Sequence, residues 1–293
     1  MASEITLTTS RVARLGDLTR RARRLKLPWI PLVIMLALIV CAAFAPLLAA
    51  HDPTRIAMLD RRIAPFETIE HPLGTDIMGR DMLARLIYGA RTSVFISLVA
   101  LGTGAFVGSV LGLVAGYRGS WPDVLIMRAA DAALGFPTIL VAMIIVTLLG
   151  AGIENIILAV VITVWARFAR MIRGDVLSIK ELDFVTAAKI AGVSSPVIIA
   201  RHIFPNTINT LMVVTSLQVG QVILLEASLS FLGLGLPPGD PAWGIMVAEG
   251  RNVILEVWWL ALLPGLAITI VVLAFNFFGD WLRDTLDPKL RRA

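Results

Sequence analysis

The chain has 293 residues, 57% of them apolar and 16% charged, with a mean hydropathy of +0.84, whereas a soluble domain is nearer half apolar and a quarter charged. That excess is lipid-facing surface, so the chain reads as an all-α integral membrane protein, and its net charge of +5 reads as basic loops meeting anionic lipid, with no nucleic acid implied. The single cysteine, Cys41, lies in an apolar run, which excludes a disulfide framework; His51, His71 and His202 lie far apart in sequence, so no metal site is expected.

Taken in order, residues 1–28 form a basic tail, and the first of six apolar stretches near 20 residues long follows at 29–49. The tail and first stretch share the basic-then-apolar layout of a secretion signal, but the apolar run is long enough to span, so an uncleaved helix is expected. A loop at 50–92 precedes a core of five helices over 93–280, with spans at 93–115, 132–149, 152–171, 207–229 and 257–278, and a tail at 281–293. Arg167 and Arg170 fall near the end of the fourth span and are expected to snorkel toward the interface. Of the 26 Lys and Arg, 19 lie on the side that holds both termini; the 50–92 loop carries 6 and the loop after span five carries 1. Both termini are therefore expected in the cytoplasm.

Within span two, Gly104, Gly108, Gly112 and Gly116 recur every fourth residue on one helical stripe. Small residues at that spacing let helix backbones approach closely in lipid, either as static packing or as a sliding surface. On span five, Thr215, Gln218, Gln221, Glu226 and Ser228 share about half the circumference at 100° per residue. Such a face meets a partner helix or a water-filled cavity. Gln218, Gln221 and Glu226 are the candidates for a pathway or gate, with Glu226 either in that path or solvated at the outer interface. The stretch SLSFLGLGLPPGDPAWGIM (residues 228–246) ends the helix with glycines and prolines, and it is apolar enough to fold back on the outer mouth of the bundle. No phosphate loop, zinc-protease or serine-hydrolase motif occurs, so no catalytic residue is assigned; any ATP that drives the chain binds elsewhere.

Between spans four and five lies DFVTAAKIAGVSSPVIIARHIFPN, residues 183–206. It reads as a helix over 182–191, a left-handed cap at Gly192, and a second short helix started by Ser194 and Pro196 and stopped by Pro205. An amphipathic helix lying on the membrane is one reading, and a docking surface made close-fitting by Ala187 and Ala188 is the other.

This stretch resembles the cytoplasmic EAA loop of bacterial ABC importer permeases: Glu-Ala-Ala, a glycine four residues on, and a closing apolar-x-apolar-Pro. Here the pattern appears as Thr186-Ala187-Ala188, Gly192 and His202-x-Phe204-Pro205. Thr186 and His202 depart from it in the manner of the dipeptide/oligopeptide branch. HPLGTDIMGRDMLARLIYGARTS (residues 71–93), LSFLGLGLPPGDPAWGIM and AFNFFGDWLRDTLDPKL (residues 274–290) resemble that branch too. The resemblance implies a type I importer permease fold in the bacterial inner membrane. It also implies coupling helices at 183–206 that dock on a separate ATPase, a homologous second permease subunit, two ABC ATPases and an extracytoplasmic binding protein. ATP and magnesium would belong to the ATPases, and this chain would hold no cofactor. The cargo implied is a peptide; nickel, glutathione and oligosaccharide importers share the architecture. An ion-driven secondary transporter, which would need broken spans with ionisable residues at mid-membrane, or a membrane scaffold are the readings from other classes.

Overall fold

A computed structural model describes residues 27–237 and 239–286, so nearly all of the N-terminal tail and the end of the C-terminal tail lie outside the described residues. The described chain is helical: α1 (Trp29–Ala43), α2 (Met82–Arg118), α3 (Ser120–Gly135), α4 (Thr138–Leu149), α5 (Ile153–Ile179), α6 (Asp183–Ile190), α7 (Phe204–Phe231), α8 (Trp243–Arg251) and α9 (Trp259–Leu286). Its sole β pairing among these residues is an isolated bridge between Thr75 and Asp81.

The six uniform spans expected from hydropathy resolve differently. Four helices are long and apolar enough to cross a membrane: α2, α5, α9, and α7 together with the turns that lead into it from Ser195. The expected third span is broken, because α3 and α4 meet at a 92° bend and count as one crossing only if taken together. Pro137 causes the break. It lacks an N–H, and it forces Phe136 before it out of helical geometry, to φ −103 and ψ 146. The first span is short, since α1 stops after 15 residues at Phe44, with Pro46 in the single turn that follows. In contrast α2 starts eleven residues earlier than expected, where Asp81 accepts a hydrogen bond from the Ala84 N–H at 2.7 Å as N-cap. Its 37 residues extend about 55 Å, well beyond the ~30 Å hydrocarbon layer.

The glycine stripe of α2 lies against α5. A Cβ on Gly108 would strike the Trp165 carbonyl and Phe168, one on Gly112 would sit 2.6 Å from the Ala169 carbonyl, and one on Gly116 2.7 Å from Val176 Cβ. Gly104 meets Val164 in the same way. The two backbones therefore touch over four successive turns. Gly102, on the same helix but off the stripe, has nothing within 4 Å.

Outside the bundle, the loop before α2 is tied to α8 by charges. Asp76, fully buried, accepts hydrogen bonds from the Met78 and Arg80 N–H groups and from both the Arg80 and Arg85 guanidinium groups. Glu249 on α8 receives Arg80 at 2.9 Å and Arg85 at 2.7 Å. Two cations and two carboxylates thus neutralise one another, three of them buried and Glu249 partly exposed. Trp243 Nε1 donates to the Leu86 carbonyl and Trp259 Nε1 to that of Thr75, which fastens α8 and α9 to the same knot. The 228–246 stretch does fold back on the bundle. Gly233 (φ +79) ends α7, with its N–H on Ser230 and the Leu234 N–H on Leu229, a Schellman ending. Leu236, Ala242 and Ile245 are then buried in the core shared by α2, α4, α5 and α7.

Gly108→Leu or Gly112→Leu is expected to destabilise the detergent-solubilised chain by ~2 kcal/mol or more, because an overpacked helix contact cannot relax when both sides are backbone. Gly102→Leu should leave the melting temperature unchanged. Asp76→Asn is expected to cost about 3 kcal/mol in the same thermal assay, since it leaves buried arginines short of a counter-charge.

Candidate functional site

The polar residues of α7 do not form one face lining one space. Glu226 is only 1% exposed and turns toward α2, where its carboxylate accepts hydrogen bonds from Ser230 Oγ at 2.8 Å and Ser93 Oγ at 3.4 Å. It is neither a solvated interface residue nor open to a cavity, as the sequence reading proposed. Glu226 is rotated about 80° from Gln218 and about 140° from Gln221 around the helix, which turns it to α2, where packing buries it. Ser228 Oγ bonds back to the Leu224 carbonyl.

Gln218 and Gln221 turn the other way, toward α4 and α5. Arg167 Nη1 donates to Gln218 Oε1 at 3.2 Å, and its Nη2 to Thr138 Oγ1 at 3.3 Å, just past the α3–α4 break. Arg167 is held by these two side chains, and because α5 continues to Ile179, two turns beyond the expected end of the span, it lies near the middle of a 27-residue helix rather than near its end. Arg170 and Arg173 follow on the same side of α5 and pair with Asp131 and Asp123 of α3, the latter at 2.6 Å through Arg173 Nη2. The signal for this ladder was present in the sequence: three arginines at every third residue of one helix, and two aspartates two turns apart on another.

A cavity of about 190 Å³ opens beside Arg167 and is lined also by Thr138, Gln221, Leu225 and Ser228. A more apolar hollow of about 410 Å³ shares Ile139, Leu224 and Ser228 with it and continues to Phe231 and Leu232 at the far end of α7. At the opposite end, about 430 Å³ opens between α5, α7 and α9, with Asp175, Asn209, Thr210 and Arg283 in its wall.

In the 183–206 segment, α6 ends in a Schellman motif at Gly192 (φ +78), with its N–H on the Lys189 carbonyl and the Val193 N–H on that of Ala188. Ser194 holds the N-cap position of the next turn without a side-chain hydrogen bond. Pro205 does not stop the second helix. The backbone runs on from Ser195 through a π turn at Ile199–Ile203 into α7, so the Phe204 N–H reaches back to the Ile199 carbonyl. The wider turn accommodates the N–H that Pro205 lacks.

The two alanines separate. Ala188 is buried with Val185, Ile198 and Ile203 against Leu113, Ile172 and Val176, whereas Thr186 and Ala187 face outward. Ile190 stays 83% exposed, Phe184 and Pro205 are exposed, and His202 lies behind the Phe184 ring with centroids 6.4 Å apart. Phe204 is exposed and lines an apolar hollow with Phe106, Val110 and Leu113 of α2.

Two of the histidines are far apart in sequence but not in space. Folding of the 50–81 loop brings the His51 and His71 rings to 4.8 Å between centroids. His71 Nδ1 lies 2.9 Å from Asp81 Oδ1, while Asp81 Oδ2 caps α2 and His51 Nε2 donates to the Glu70 carbonyl. Asp81 thus has both oxygens engaged in holding the loop to the helix.

Residues 108–292 match the family model described as the binding-protein-dependent transport system inner membrane component. The chain is 41% identical over 273 residues to the dipeptide transport system permease protein of Alkalihalophilus pseudofirmus, covering 93% of this chain and 89% of that one. It is 38% identical to the dipeptide permease of Bacillus subtilis, over 94% and 86% of the two chains. To the glutathione transport system permease protein of Pectobacterium atrosepticum it is 39% identical, over 88% and 86%. A crystal structure of an amino acid ABC transporter with histidines superposes with a TM-score of 0.52 at 15% identity, over 72% of this chain and 95% of that one, which shows a shared fold. A family model spanning most of the helical bundle and relatives matched almost end to end agree: the chain belongs to the inner-membrane permease components of binding-protein-dependent transport systems.

Proposed function

We propose that the chain is one of two transmembrane subunits of an ATP-driven importer of dipeptides and oligopeptides. The observation that carries the cargo is the 41% identity, over 93% of the chain, with a dipeptide permease. Glutathione, itself a tripeptide, is the second reading, favoured by the 39% identical relative. The chain performs no bond chemistry. It pairs with a homologous permease, two ABC ATPases that bind ATP and magnesium, and an extracytoplasmic binding protein, and it moves cargo by alternating access as the ATPases close and separate. The excess of Lys and Arg around the termini and in the 166–206 segment supports cytoplasmic termini.

The 183–206 segment is the proposed contact with an ATPase. Supporting this, α6 presents an exposed, partly apolar surface of Thr186, Ala187 and Ile190, while Val185 and Ala188 share a buried cluster with Leu113 of α2 and Ile172 and Val176 of α5. A force on the outer face of α6 therefore reaches two long helices through direct packing. A purely membrane-lying helix would need no such anchorage on its inner side.

Proteoliposomes holding the complete importer are expected to accumulate labelled dipeptide only with ATP inside the compartment where the ATPases sit. ATP-independent accumulation driven by an ion gradient, or none at all, would refute the reading. Ala187→Trp should reduce ATPase co-purification about tenfold, since a bulky side chain holds a docking surface off by several ångströms. Ala188→Trp should act differently, destabilising the permease itself, because the ring has no space beneath α6. Gly192→Val should weaken ATPase binding without loss of the helices, because a β-branched residue at positive φ is strained and redirects the chain into Ser195. Full ATPase binding by both Ala187→Trp and Gly192→Val would show that the contact lies elsewhere.

A further inference from the structure

The three arginines of α5 are not equivalent. Arg173 and Arg170 each have a carboxylate on α3. Arg167, the farthest from the C-terminal end of α5, has none: where the partner helix would continue, the chain breaks at Pro137, and Thr138 offers only a hydroxyl. Among the described residues no carboxylate lies within ion-pair distance of Arg167. Its other contact, Gln218, is a neutral amide, which must turn its oxygen to the guanidinium because the nitrogen cannot accept. That orientation leaves Gln218 Nε2 buried without a partner, in a side chain 8% exposed. Arg167 and Gln221 thus bring a full positive charge and an amide to the wall of a cavity of about 190 Å³, with Gln218 buried behind the guanidinium, and the nearest acid on α7, Glu226, faces α2.

A part-buried cation without a counter-charge inside a bundle of apolar helices is costly, and such groups persist where they face a pathway. The fork of a guanidinium matches a carboxylate in two parallel hydrogen bonds. We propose that Arg167, positioned by Gln218 and joined by Gln221, forms a transient site for a cargo carboxylate partway along the pathway; the inference rests on the peptide-import reading. An unmodified peptide carries that group at its C-terminus. The apolar hollow that continues past Leu224 to Phe231 is suited to the apolar side chains of the peptide attached to that carboxylate. Arg167 thereby acts as a specificity-determining residue, favouring cargo with a free carboxyl end over cargo without one.

The test uses the complete importer in proteoliposomes, driven by saturating binding protein loaded with either a dipeptide or its C-terminal amide. Arg167→Gln is expected to slow uptake of the free acid about tenfold, the size of a lost charge-assisted hydrogen bond, and uptake of the amide less than about twofold. Arg167→Lys, which keeps the charge, should recover most of the free-acid rate. Equal slowing of acid and amide, or an unchanged acid rate, overturns the site. The unmodified importer gives a second measurement that no folding defect can obscure: it is expected to move the acid at least about threefold faster than the amide, and equal rates overturn the proposal. Should the unmodified importer move neither peptide, the peptide-import reading itself falls and takes this inference with it. A failure confined to Arg167 instead leaves unmodified uptake intact.

Discussion

Most of what this bundle does depends on the contact between α2 and α5. In lipid no hydrophobic force draws helices together, so association depends on how closely backbones can approach. Four glycines on α2 remove every side chain from the contact, and α5 fills the groove with its own backbone and with Val164, Phe168, Ile172 and Val176. The pairing fixes the rotation of α5, and rotation decides where its arginines point. It also presents Leu113, Ile172 and Val176 together as the seat on which α6 rests. Both candidate functional regions hang from one glycine stripe.

Charge is distributed by the same constraint. Outside the bundle, four ionised groups share a largely buried knot at Asp76, Arg80, Arg85 and Glu249, each facing an opposite charge. Along α5, Arg170 and Arg173 find acids on α3, which runs beside them until it bends. Only at the break does the pairing lapse. A helix that ran straight through Pro137 would carry its side chains past Arg167 without opening the cavity beside it. The bend, the cavity and the uncompensated charge are therefore one feature seen from three sides.

Sequence reasoning failed in places with a common cause. It placed Glu226 with Gln218 and Gln221 because hydrophobic periodicity sorts polar from apolar but cannot say which neighbour a polar residue meets; Ser93, 133 residues away, decides that. It gave Ala187 and Ala188 one role because adjacent small residues look alike, yet successive helix positions differ by 100° and only one of them can face the body. It treated Pro205 as a stop, whereas a π turn carries the helix through. And it separated His51 from His71 by counting residues along a loop that folds back on itself.

The amino-acid sequence by itself determined the class of the protein, the glycine stripe, the capped turn at Gly192 and the motif blocks that mark the family, because each rests on composition or on spacing within one helix or turn. Only the tertiary structure decided the pairs: α2 with α5, Asp76 with Arg80, Arg85 and Glu249, Arg167 with Thr138 and Gln218, and the inward turn of Ala188. The physical reason is that local patterns are enforced by covalent geometry over a few residues. Which charge finds a partner, and which is left to face a cavity, depends instead on how helices distant in the chain rotate and bend against one another.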